Sequence, residues 1–293
     1  MTERIRRLYG ILKDRTYRTR RANDALPQPG KASGNPRIKA FSAFLDAEVP
    51  QFFEDDRIGF YRYRAPITSD DAWYSPYGNI VPNYARYLEK GFGGVYVDMK
   101  KKAVGGTDEA AFAADVCTVL EAMKRYFDKQ RDASSGELRE VLTRVPWQAP
   151  KTYHEALVII KAIQFFLRCN RTMHVPIGRF DQYMYPFFKA DLDRGVPLDE
   201  LFELTEEFFL SLNFDADLYD GIQQGDNGQS MVLGGFDKDG KYQFNELSKL
   251  CLDASIELNV IDPKINLRVG KDTPRKIYDI GTKLTKKGLG FPQ

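Results

Sequence analysis

Residues 178–192 read Gly178-Arg179-Phe180-Asp181-Gln182-Tyr183-Met184-Tyr185-Pro186-Phe187-Phe188-Lys189-Ala190-Asp191-Leu192, and their reading decides that of the rest of the chain. The stretch combines five aromatic rings, an arginine and an aspartate able to pair, and a proline that bends or restarts a helix. On chemistry alone it is an aromatic-rich core helix with tyrosine hydroxyls at its rim, because aromatic stripes mostly fill cores.

Working outward, Thr152-Tyr153-His154-Glu155 predicts a capping box, opening a helix through Ile159, Ile160, Ile163, Phe166 and Leu167. His154 falls in its first turn, where a solvent-facing imidazole with no role is expected. Thr172 to Ile177 is extended by composition, Pro176 biasing Val175 toward the β region. Beyond the stretch, Leu198 to Leu212 predicts an amphipathic helix with Glu200, Glu203, Glu206 and Glu207 on a solvated face. Residues 229–234 form a strand stopped by glycines, and Asn245 caps a helix to Leu258. A further strand covers 263–269, and Thr273-Pro274 opens a helix ending at Gly288. Asp237-Lys238-Asp239-Gly240 is a turn rather than a calcium loop, since its twelfth position is Ser248.

Toward the N-terminus the spacing predicts an amphipathic basic helix over the first twenty-odd residues and a linker from Ala25 to Pro36. A helix runs from Ile38 to near Pro50, and a strand covers 58–64. Asn83 caps a helix from Tyr84 that Gly91 ends, and a long buried helix spans Thr107 to Phe127. The segment around Asn79 is a loop delivered just before a helix, a common place for a site.

The chain has 293 residues, 43% of them hydrophobic, which supports a substantial core. Its net charge of +2 gives no case for nucleic acid or an anionic membrane and leaves a small molecule as the expected partner. No apolar run reaches bilayer length and Met1–Arg21 lacks a signal-peptide core, so the expectation is a cytoplasmic protein. Cys117, Cys169 and Cys251 have neither pairing nor metal-ligand spacing and are expected to fill core space.

Gly178-Arg179-Phe180-Asp181-Gln182-Tyr183-Met184-Tyr185-Pro186-Phe187-Phe188 resembles the signature of glycyl radical enzymes of the pyruvate formate-lyase type. Gln229 to Gly235, the Asn245-Glu246-Leu247-Ser248 helix start and Pro263 to Arg268 are similar to later family segments in the same order. The resemblance implies an α/β, helix-rich chain: an N-terminal half-barrel with surrounding helices, part of a ten-stranded barrel. On this reading 1–36 is an N-terminal helix and linker, and 37–293 carries the helices and half-barrel strands. It further implies radical hydrogen abstraction from a small metabolite, a homodimer when full length, and a glycyl radical installed by a SAM-dependent iron–sulfur activating enzyme. The family's thiyl-forming cysteine loop and glycine loop have no counterpart within residues 1–293, so a fragment inactive by itself is expected. A non-catalytic binding module derived from the fold is the alternative.

Three residues are candidates for substrate binding. Asn79 follows Gly78 where the pyruvate-cleaving members carry a carboxylate-gripping arginine, and a neutral amide cannot supply that charged clamp. A dehydratase or C–N lyase is therefore expected ahead of formate acetyltransferase-like C–C cleavage. Counting back from Gly178, the family's substrate-facing His-Ser pair falls on Met173 and His174. Neither residue matches, but an imidazole at His174 can pass a proton to a departing hydroxyl or hold a polar group.

Overall fold

The computed structural model of the chain describes residues 1–14, 35–61, 78–169, 172, 174–214 and 228–292. In chain order these contain α1 (Glu3–Asp14), α2 (Pro36–Ala47), α3 (Tyr84–Lys102), α4 (Asp108–Ala133), α5 (Gly136–Leu142), α6 (Tyr153–Cys169), α7 (Phe180–Tyr183), α8 (Tyr185–Asp193), α9 (Leu198–Phe214), β1 (Ser230–Gly234), α10 (Glu246–Leu258), β2 (Lys264–Arg268) and α11 (Arg275–Thr285). They fall into two units. One comprises Met1–Thr19, Tyr77–Pro82 and Met173–Gln293, the other Arg20–Pro76 and Asn83–Thr172.

The second unit is helical among its described residues. Side-chain caps start three of its helices: Asn83 accepts from the Arg86 N–H as the sequence predicts, and Asn35 and Thr107, not singled out as caps, accept from Arg37 and Ala110. Its centre is α6, buried continuously from Tyr153 to Phe166. Phe60, Phe92, Tyr126, Phe127, Phe165 and Phe166 meet there, mostly edge to face, with Tyr126 and Phe165 stacked at 4.9 Å. Each such pair contributes about 0.5–1.5 kcal/mol beyond the area it buries.

Three expectations fail in this unit, each for a tertiary reason. Ile58–Tyr61 form no strand: Asp56 Oδ1 accepts from the Ile58 and Gly59 N–H groups and the Tyr61 hydroxyl, and Gly59 and Phe60 take left-handed φ of 69° and 59°. Residues 62–64 lie outside the described residues. His154 is not solvent-facing but 6% exposed, its Nε2 2.6 Å from the Arg57 carbonyl and its Nδ1 3.2 Å from Glu137, because α6 is enclosed from its first turn. Gly91 breaks α3 (φ 66°, ψ 174°) without ending it, and the helix resumes at once to Lys102. The freed Phe92 and Gly93 N–H groups donate to the Pro146 and Trp147 carbonyls at 3.0 and 2.8 Å.

The first unit carries the sheet. β1 and β2 are parallel, Ser230 opposite Lys264 and Gly234 opposite Arg268, with α10 as the crossover. The extended stretch 174–178 runs beside β1: Ile177 and Gly178 donate to the Ser230 carbonyl at 2.8 and 3.1 Å, and Val232 donates back to Gly178 at 2.7 Å. The expected strands at 229–234 and 263–269 coincide with β1 and β2; of the stretch expected to be extended, only Ile177 bonds to β1, Thr172 donates back to the Leu167 carbonyl, His174 takes a left-handed φ, and residue 173 lies outside the described residues. The linker expected from Ala25 also lies outside them up to residue 34, as do residues 215–227.

Helix α9 corrects the reading of its glutamates. From Leu204 to Phe214 it is buried on every side, and Glu206 and Glu207 are each 1% exposed. Helix α1 packs on it and places the Arg4 guanidinium against Glu207 at 2.6 and 2.9 Å and Glu203 at 3.4 Å. The amphipathicity of one helix cannot reveal what a helix two hundred residues away will cover. Among the described residues, both Glu206 oxygens lack a hydrogen-bond partner. Burial pushes this carboxyl up to about 7, against the opposing pull of the Met1 amino group. Helix α11 begins one residue later than expected: Pro274 is its cap, and Thr273 instead accepts from the Gly270 N–H.

Candidate functional site

The 178–192 stretch folds as α7 and α8, split at Met184, with Pro186 in the first turn of α8. Phe180 and Phe188 are fully buried, and Phe180 stacks on Phe208 of α9 at 5.7 Å. Asp181 and Arg179 grip the two main-chain groups of one residue: Asp181 Oδ2 accepts from the Gly234 N–H at 2.6 Å, and Arg179 donates to the Gly234 carbonyl at 3.2 Å. The same Asp181 oxygen accepts from the Ser248 hydroxyl at 2.6 Å, and the Asp181 carbonyl accepts from Asn245. Gln182 donates to the Gln243 carbonyl and Tyr183 to that of Ile177. Burial raises the Asp181 carboxyl above its ordinary value, with the donors from Gly234 and Ser248 opposing. This stretch thus ties the end of β1 to the start of α10. Asn245 and Ser248 close the capping box of α10, so the Asn-Glu-Leu-Ser run serves the cap and the Asp181 anchor together.

Two of the three candidate residues come together on the open side of this frame. The Asn79 N–H donates to the His174 carbonyl at 2.8 Å, although ninety-odd residues separate them. Both are left-handed non-glycines, with φ of 57° and 52°. Such backbone costs of order 1–3 kcal/mol per residue and persists only where surroundings hold it, which is common at binding sites. His174 packs against Gly228, where an added Cβ would fall 2.2 Å from its Nδ1. Asn79 is exposed, and Ile80 and Val81 beside it are 49% and 53% exposed. Met173 lies outside the described residues.

Sequence reasoning did not find Gly228 at His174, nor the hold of Val81 over Gly178; the only signal was the glycine at each position. Among the described residues, no group of three or more His, Cys, Asp or Glu could hold a metal ion, and no helix is long and apolar enough to cross a membrane. Cys117, Cys169 and Cys251 are buried, as expected. Burial pushes the Cys251 thiol well up, with the Asp181 carboxylate adding to it.

A family model described as pyruvate formate lyase-like matches residues 61–293. The 4-hydroxyphenylacetate decarboxylase glycyl radical subunit of Clostridioides difficile is 25% identical, the match covering 76% of this chain and 28% of that protein. The trans-4-hydroxy-L-proline dehydratase of the same organism is 28% identical, over 62% of this chain and 25% of its own. The glycerol-bound B12-independent glycerol dehydratase of Clostridium butyricum superposes with a TM-score of 0.81 at 16% identity, over all of this chain and 50% of that one, a likeness of fold alone. The chain spans about a quarter of the length of these curated relatives and half that of the solved enzyme. The family match over most of the chain and the shared fold agree with the signature at 178–188: the chain belongs to the pyruvate formate lyase-like family of glycyl radical enzymes.

Proposed function

We propose that this chain forms one wall of the substrate chamber of a glycyl radical enzyme that removes a leaving group from a small polar metabolite. Asn79 and His174 stand on that wall, and Met173 remains the third candidate by sequence alone. The observation that carries the reading is the Asn79–His174 backbone hydrogen bond between two strained residues at the sheet edge. The Asn79 carboxamide both donates and accepts, which suits a hydroxyl or an amine. It lacks the charged fork that holds a 2-keto acid carboxylate. His174 can hold a polar substituent or pass a proton to it as it departs. The dehydratase names of relatives support elimination ahead of formate acetyltransferase-like cleavage, while the decarboxylase name is that of a C–C cleavage.

Hydrogen abstraction belongs to the glycyl radical and its partner cysteine, and Cys117, Cys169 and Cys251 are ill suited to relay it because all three are buried. The residues of this chain instead bind and orient substrate. A SAM-dependent iron–sulfur activating enzyme and a second copy of the chain are the proposed partners, in the cytoplasm.

The test is anaerobic activation of the complete protein followed by a screen of polyols, hydroxylated amino acids and small amines. Turnover of one of these is expected, with Asn79→Ala and His174→Ala each lowering kcat/KM by about tenfold or more. Conversion of pyruvate to formate would overturn the assignment.

A further inference from the structure

Residues 78–82 are seated on the 174–178 stretch at two points. At one the Asn79 N–H donates to the His174 carbonyl. At the other Val81 lies across Gly178, where an added Cβ would come 2.9 Å from Val81 Cγ1, and Gly178 itself has φ 70°. The two sides of Gly178 are unequally held. Toward the sheet its N–H donates to Ser230, and its carbonyl accepts from both Val232 and Phe180. Toward the loop it meets a half-exposed valine. A methyl group added at 178 would therefore be relieved on the loop side, and Asn79 is two residues from the atom that must yield.

We propose that Gly178 is a positioning residue: its missing side chain sets how closely residues 79–82 ride on the strand, and so where the Asn79 carboxamide stands. The inference rests on the placement of Asn79 in the substrate wall. It assigns the first residue of the signature to substrate affinity, in contrast to the anchoring done by Arg179 and Asp181.

The test compares Gly178→Ala, Val81→Ala and the double variant in the complete protein, by hydrogen exchange and by kinetics normalised to radical content. Gly178→Ala should raise deuterium uptake at 79–82 while leaving β1 unchanged. It should also raise KM about tenfold with kcat within about twofold, a loss of ground-state and transition-state binding alike. The double variant keeps the left-handed strain at 178 but removes the contact, so it should return both readouts toward the parent. Failure of Val81→Ala to rescue the exchange, equal loosening of β1, or failure of both Gly178 variants to fold would reduce Gly178 to a backbone turn and overturn the inference. Rescued exchange with an unmoved KM leaves the positioning intact and removes Asn79 from the substrate wall instead.

Discussion

Asp181 bonds to the end of β1 and Asn79 to the 174–178 stretch beside it, and the two are held in opposite ways. Asp181 is fully buried, its Oδ2 accepting from a backbone N–H and a hydroxyl. Asn79 is exposed, its backbone strained and held through its N–H, its side chain facing no partner that the described contacts record. The residues that make the family recognisable are thus mainly girders, while the candidate site sits on a loop without a signature. A carboxylate inside a signature invites a catalytic reading, and here the geometry assigns it to fastening Gly234.

The contrast can be broken most severely on the girder side. Phe180→Ala empties a fully buried site stacked on Phe208, and a loss of about 3–5 kcal/mol in a denaturant titration is expected. Asp181→Ala leaves the Gly234 N–H and the Ser248 hydroxyl without their acceptor, at a cost of about 2–4 kcal/mol. A loss below about 0.5 kcal/mol would remove it from the girder class.

Glu206 offers an intermediate case, a buried carboxyl without donors among the described residues. Two charges act on it, the Met1 amino group, which lowers its value, and Glu203 of its own helix, which raises it. Its folded value of about 7 lies above the ordinary 4.5, so the folded chain keeps a proton that the unfolded chain has already released between those values. Its contribution to stability is complete below pH 4.5 and is lost as the pH rises through about 7, some ~1–3 kcal/mol in all. Glu206→Gln should flatten that slope, measured as the denaturation midpoint from pH 4 to 8. An unchanged slope would place the titration elsewhere. Least of all, Asn79→Gly should leave stability within about 0.5 kcal/mol, since glycine accepts the left-handed φ without penalty. A large loss there would make Asn79 a girder too.

Local chemistry was legible in the sequence wherever it acts within a few residues. The caps at Asn83 and Asn245 and the strands at 229–234 and 263–269 depend on neighbours along the chain, and they appear as predicted. Arg57 to Tyr61 looked like a strand because alternation carries no information about Asp56 folding back onto its own backbone. His154 and Glu206 looked solvated because their cover comes from Arg57, Glu137 and α1, distant in sequence. At the site, the resemblance singled out Asn79 and His174, but nothing in their spacing says that one donates to the other. Left-handed φ at a non-glycine leaves little trace in composition; asparagine at 79 is a weak signal, and histidine at 174 is weaker.

The break at Gly91 has a consequence of its own. Phe92 and Gly93 reach Pro146 and Trp147 through main-chain atoms alone, and a Cβ at 91 would come 2.4 Å from the Trp147 carbonyl oxygen. The joint is a splice specified by the empty space at 91, with the Trp147 ring lying over Gly93 and beside Tyr96. Ordinary side-chain exchanges on either partner leave its two bonds untouched, yet a single carbon at one glycine would force the two segments apart. Within a unit otherwise held by aromatic bulk, the most brittle point is therefore the one with the least substance.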